Sequence, residues 1–168
     1  MKQRVQSILL FLSALVLGAL FFMPLAMYLD DYGTYFKLYV YGVNMVSLAP
    51  NVELSFSAIY TLPLLILTVA VILINFYLSM SIIRAVKLQQ FVKLFKLSRI
   101  NIALAVVLIA TIFVYYLVKT GAGIAAIPSF AWPAWGAFLT LIALIMMLVA
   151  SSGLKKDIDK VRSVDRIR

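Results

Sequence analysis

The chain has no cysteine and no histidine, and acids are scarce: 6 Asp and Glu stand against 15 Lys and Arg in 168 residues. The first two absences exclude a disulfide framework, a thiol nucleophile, an imidazole base and any metal site built on His or Cys. Charge is thin as well, at 12%, whereas 65% of the residues are hydrophobic and the mean hydropathy is +1.08. An ordinary soluble domain is roughly 25% charged. So little polar surface cannot cover this chain in water, and composition alone predicts a membrane protein. No internal repeat and no low-complexity linker divides it, so one domain over 1–168 is expected.

Charge-free runs serve as a ruler, because a helix needs about 20 apolar residues to cross a hydrocarbon core of about 30 Å. Val5 to Leu29 holds 25 uncharged residues, with Pro24 near its far end, where a helix stop costs least. A second run lies between Glu53 and Arg84, with Pro63 placed for a first turn. The third, Ile100 to Val118, is INIALAVVLIATIFVYYLV; the fourth opens with Gly and Pro turn signals in TGAGIAAIPSFAWP before its helical part. The predicted spans are 5–28, 57–83, 100–118 and 133–153. Between them lie an outer loop over 29–56, a basic loop over 84–99 and a tail over 154–168. The first run is too long for the core of a signal peptide and lacks a small-x-small cleavage site, so it is read as a span.

Cytoplasmic segments retain positive charge. Thirteen Lys and Arg fall on the side of the two termini and the 84–99 loop, and two, Lys37 and Lys119, fall on the other. Both termini are therefore predicted in the cytoplasm, with Asp30, Asp31 and Glu53 outside. Tyr28, Tyr32, Tyr60, Tyr115, Tyr116, Trp132 and Trp135 gather at the predicted outer boundary, where such rings anchor among headgroups.

In the outer loop, Tyr35 to Val43 is dense in aromatic and β-branched residues, and Asn51 to Ser57 alternates apolar with polar. Both read as strands, with Gly42, Asn44, Pro50 and Asn51 supplying turns. A β-hairpin or three-stranded sheet resting on the helix ends is expected, since an isolated hairpin is marginal in water. The fold class is thus all-α membrane: a four-transmembrane-helix bundle with a small sheet in its first extracytoplasmic loop. The layout is similar to that of claudin-type tetraspan proteins, but the Cys pair of that group is absent.

Lys93, Lys96 and Arg99 recur every third residue, which reads as one broad helical face leading into the third span and a contact for anionic lipid headgroups. Nucleic acid is not expected, because Phe91, Leu94, Phe95 and Leu97 interleave the cations beside the bilayer. In the tail, Asp157 with Lys160 and Asp159 with Arg162 fall at helical spacing, while Leu154, Ile158 and Val161 continue an apolar stripe. Three acids among six basic residues serve no topogenic purpose. The tail, with Asp157, Arg162, Ser163, Asp165, Arg166 and Arg168, is therefore the candidate docking surface for a protein partner.

No ionisable residue falls within a predicted span, which argues against proton-coupled transport. Asn75, nine residues from Arg84, needs a partner from another helix or a second copy of the chain, and Asn101, beside Arg99, is expected to be solvated from the cytoplasmic edge. These two are the candidate interhelical polar contacts. No catalytic, cofactor-binding or metal-ligating set emerges.

Three stretches carry a resemblance: the opening KQRVQSILLFLSALVLGALFFMPL, Arg99-Ile100-Asn101, and GAFLTLIAL followed by KKDIDKVRSVDRIR. Together they resemble the small four-helix inner-membrane proteins of Bacteroidetes grouped as domain of unknown function 4293. The resemblance spans the whole chain and is most specific at the ending Val161 to Arg168. Just before it, Ser151, Ser152 and Gly153 stand where the family tends to carry more Arg. The resemblance implies an inner-membrane location and four spans, and brings no reaction with it.

The function expected from these observations is that of a non-enzymatic accessory or scaffold component working through partner membrane proteins. The alternatives are a small transporter or channel acting as a homo-oligomer, and a membrane enzyme using Asp30, Asp31 or Glu53. No cofactor is expected.

Overall fold

The computed structural model describes residues 2–29, 35–46, 61–85, 88–117 and 130–165. Four long helices dominate: α1 Lys2–Gly18, extended by a 3-10 turn over Ala19–Phe21, α2 Leu62–Arg84, α3 Leu88–Leu117 and α4 Trp135–Asp165. Four short strands, β1 Ala26–Leu29, β2 Tyr35–Tyr39, β3 Gly42–Val46 and β4 Phe130–Pro133, form one antiparallel sheet in the order β3-β2-β1-β4. Each helix packs on the next, and α4 closes back on α1. The sheet caps one end, which we call the sheet end; Arg84, Lys93 and Lys155 mark the other, the basic end.

Among the described residues, α2, α3 and α4 contain stretches long and apolar enough to cross a membrane, and Val5–Phe21 is a shorter apolar helix. The buried positions follow a three–four spacing that keeps one stripe of each helix facing its neighbours. On α3 these are Leu94, Ser98, Asn101, Ala105, Leu108 and Ile112; on α2, Leu64, Thr68, Val71, Asn75, Leu78 and Ile82. Small and polar residues share these stripes, while Ile8, Leu15, Leu73, Ile83, Val106, Phe113 and Ile145 point outward, each more than half or nearly half exposed. Such a distribution suits lipid, where close approach and hydrogen bonds, not apolar burial, join helices.

Several boundaries differ from the sequence reading. The helix of the first apolar run stops at Phe21, not at Tyr28. Pro24 cannot donate a backbone N–H, and the residues after it pair instead as β1, with the Leu25 N–H donating to Leu38 O at 2.7 Å. The segment read as a loop over 84–99 is mostly helix, because α3 starts at Leu88; that stretch contains neither Gly nor Pro, and positive charge alone does not end a helix. The helix of the fourth apolar run continues to Asp165, as the tail's spacing implied.

The strands also fall differently. Tyr35 to Val43 is not one strand: the chain turns at Val40-Tyr41, with Tyr39 opposite Gly42. Val40 is fully buried and Tyr41 stacks on Tyr39 at 5.4 Å between centroids, so the turn is anchored on both faces. The strand expected over Asn51 to Ser57 lies outside the described residues. A strand that the Gly and Pro signals concealed, β4, pairs with β1 from Ala26↔Pro133 to Leu29↔Phe130, so the sheet has four strands instead of two or three. Beyond it the Ala134 N–H donates to Leu25 O and the Gly136 N–H to Pro24 O, each at 3.1 Å. A Cβ on Gly136 would lie 2.5 Å from Pro24 O, so this close approach requires glycine.

Candidate functional site

Two groupings of polar residues stand out, one inside the helices and one at their basic end. The first is built on the shared stripes. Asn101 Nδ2 donates to Asn75 Oδ1 at 2.8 Å, and Asn75 Nδ2 reaches Met147 Sδ on α4 at 3.5 Å. Both asparagines are fully buried, so Asn101 is not solvated from an edge. With α3 starting at Leu88, it sits about 20 Å along the helix at ~1.5 Å per residue.

One turn closer to the basic end, all four helices contribute a buried serine: Ser7, Ser79, Ser98 and Ser151. Ser79 follows Asn75 by four residues, Ser98 precedes Asn101 by three, and Ser151 follows Met147 by four, which places them at one level about 5 Å from the asparagines. Ser7 Oγ donates to Ser79 O at 2.7 Å, Ser79 Oγ donates to Ser7 O at 2.9 Å, and the two hydroxyls meet at 2.9 Å. Ser98 Oγ and Asn101 Oδ1 are buried without a hydrogen-bond partner.

Nearer the basic end, Gln6 Nε2 donates to Asp157 Oδ2 at 2.8 Å. Gln6 lies against Gly153, where an added Cβ would come within 2.8 Å of its amide nitrogen. Sequence reasoning singled out the asparagines and passed over Gln6, Ser7, Ser79 and Ser98. Their signal was the spacing itself, since Ser98 and Asn101 share one helical stripe with Ala105, as Asn75 and Ser79 do with Thr68.

The second grouping surrounds the first half of α3. Lys93, Lys96 and Arg99 spread over an arc of about 120°, because each step of three residues falls about 60° short of a full turn at 3.6 residues per turn, and the two ends of that arc meet different neighbours. Lys93 joins Arg84, Tyr77, Ser81 and Gln90 around a cleft of about 270 Å³ between α2 and α3. Arg99 joins Lys155, Ser151 and Ser152 around one of about 450 Å³ between α3 and α4. Lys96 is exposed and lines neither. The Arg99 guanidinium lies over the Phe95 ring, 5.2 Å from its centroid.

Of the tail residues, Asp157 is held by Gln6, and Arg162 and Ser163 are exposed, with Ser163 Oγ donating to Lys160 O at 2.7 Å. Leu154 and Ile158 do not extend a free apolar stripe: both are buried against the chain's own helices, and only Val161 is exposed. Asp165 ends α4. Arg166 and Arg168 lie outside the described residues, as do Asp30, Asp31 and Glu53.

These features define a helical membrane protein with a polar interior stripe and a basic end. A model of the family described as Domain of unknown function (DUF4293) matches residues 2–167, and the chain belongs to that family. No curated protein and no solved structure matches it.

Proposed function

We propose that the protein is a four-span helical bundle of the bacterial inner membrane, with both termini in the cytoplasm, and a non-enzymatic accessory or scaffold component that acts through protein partners. The observation that supports this most is the length and fixing of α4. Its 31 residues extend about 46 Å at ~1.5 Å per residue, well beyond a hydrocarbon core of about 30 Å. The excess emerges at the basic end. Leu154, Ile158 and the Gln6–Asp157 hydrogen bond hold it against the other helices. Lys155, Lys156, Asp159, Lys160 and Arg162 are left exposed on a surface of mixed sign. Charge patterns of this kind select partners and register more than they add affinity. The charge count along the sequence supports the cytoplasmic placement of that end.

The alternative of a small oligomeric transporter draws on the polar interior stripe. Against it stand Leu64, Val71, Leu108, Ile112 and Ala143, all buried between the asparagines and the sheet end.

A photo-crosslinking residue at position 162, in cells, should give one discrete protein adduct that disappears with the charge reversals Asp159→Lys and Lys160→Glu while membrane insertion stays normal. Absence of any adduct, or one indifferent to the reversals, would overturn the scaffold reading.

A further inference from the structure

We infer that the cleft between α3 and α4 is a binding site for one anionic phospholipid, its phosphate held by Arg99 and Lys155 and its first acyl chain lying along Ile102 and Leu148. The order of the lining residues carries the argument. Along α4 toward the basic end come Leu148, then Ser151 and Ser152, then Lys155; along α3 in the same direction come Ile102, Arg99 and Phe95. Both walls therefore pass from apolar to cationic in the same sense, the α4 wall through two hydroxyls and the α3 wall directly from Ile102 to Arg99, with the Phe95 ring beyond it. A ligand matching them has an anionic head at the helix ends and an apolar chain pointing toward their middle, which is the orientation of a lipid in the leaflet at the basic end.

The cleft holds two cations and no acid among its lining residues. Asp157, one turn from Gly153 on the same helix, has its carboxylate occupied by Gln6 on α1. The Phe95 ring, four residues before Arg99, draws the guanidinium back toward the helix end, where the phosphate of a lipid resides. Ser151 adds a hydroxyl donor. Ser152 Oγ gives its proton to Val149 O at 2.8 Å, which leaves its oxygen an acceptor. Leu148 is 49% exposed, so the apolar wall opens outward from the helices and a lipid enters sideways from the bilayer. Basic pockets between membrane helices recognise phosphate headgroups in this way. The neighbouring cleft between α2 and α3 also has two cations, but on α2 it continues inward through Ser81 and the phenol-bearing Tyr77, where the α3–α4 cleft has Ile102, Ala103 and Leu148.

The site does not depend on the scaffold reading, and its test uses the whole purified chain. Protein in mild detergent is mixed with phosphatidylglycerol or phosphatidylcholine, and bound lipid is counted by native mass spectrometry. One phosphatidylglycerol should be retained at least tenfold more tightly than phosphatidylcholine. Arg99→Gln with Lys155→Gln should abolish that preference, whereas Lys96→Gln with Lys156→Gln, which removes equal charge outside the cleft, should leave it within twofold. Leu148→Trp should weaken lipid retention by filling the apolar wall. Equal losses in the two double variants would reduce the effect to diffuse surface charge and overturn the site. Full displacement of the lipid by millimolar inorganic phosphate, or indifference to Leu148→Trp, would show an anion site with no lipid component and overturn it as well. Thermal unfolding of each variant separates loss of lipid from loss of fold: a variant that still unfolds at the wild-type temperature yet keeps its lipid preference after losing both Arg99 and Lys155 refutes the assignment.

Discussion

Asn101 Nδ2 donates to Asn75 Oδ1 at 2.8 Å, tying α3 to α2 where both side chains are fully buried. Asn75 in turn reaches α4 through Met147, so one amide touches two neighbouring helices. Asn75→Leu and Asn101→Leu should each destabilise the protein by about 0.6–2 kcal/mol, the range for interhelical hydrogen bonds in membranes. Because each single change strands the other amide, the double variant should cost less than the sum. Unfolding in mixed micelles measures the cycle, and strict additivity would mean that the pair does not interact.

Gly136 and Gly18 should respond oppositely to alanine. At Gly136 the new methyl would meet Pro24 O at 2.5 Å, and backbone cannot move as a side chain does; nothing lies within 4 Å of the same position at Gly18. Gly136→Ala is expected to cost about 1–3 kcal/mol as an overpacked contact. Gly18→Ala should be neutral or stabilise by up to about 1 kcal/mol, since it ends a helix in helical conformation. Thermal unfolding of the two variants side by side decides this.

The absence of native cysteine makes the Ser7–Ser79 contact directly accessible to chemistry. Their hydroxyl oxygens are 2.9 Å apart. A Ser7→Cys, Ser79→Cys variant should lose both free thiols on mild oxidation and regain them with reductant. Ser7→Cys with Ser163→Cys should keep both thiols, because Ser163 lies about 18 Å beyond the serine level at ~1.5 Å per residue. Equal oxidation of the two pairs would contradict the helix register.

An alkaline phosphatase fused after Arg168 should be inactive and one inserted near Asn44 active, because thirteen of the fifteen Lys and Arg lie on the side of the termini. The reverse pattern would invert the proposed topology.

Much of the helical part was legible in the sequence because uncharged runs leave few other choices, and Pro63 at the start of α2 sits where its missing N–H costs nothing. The inward faces were harder to see. Apolar residues surround these helices on all sides, so the usual contrast between a wet and a dry face is missing; only the recurring Ser, Thr, Asn and Ala mark the stripe. β4 was illegible for a different reason. Phe130 to Pro133 contains a proline and follows a Gly-rich stretch, and it becomes a strand through pairing with β1, more than 100 residues earlier. The burial of Asn101 turned on where α3 begins, which depends on the helix continuing through Lys93, Lys96 and Arg99 without a break.

The run Ser151-Ser152-Gly153 is a place in the middle of α4 where a long helix would be expected to bend, given the back-bonding of Ser152 to Val149 O and the missing side chain at Gly153. Gln6 fills that notch and grips Asp157 one turn further on. α4 is thus jointed near its middle, and the start of α1 is its splint. Any load on the exposed stretch that carries Lys155, Lys156 and Arg162 is shared between two helices through this one side chain.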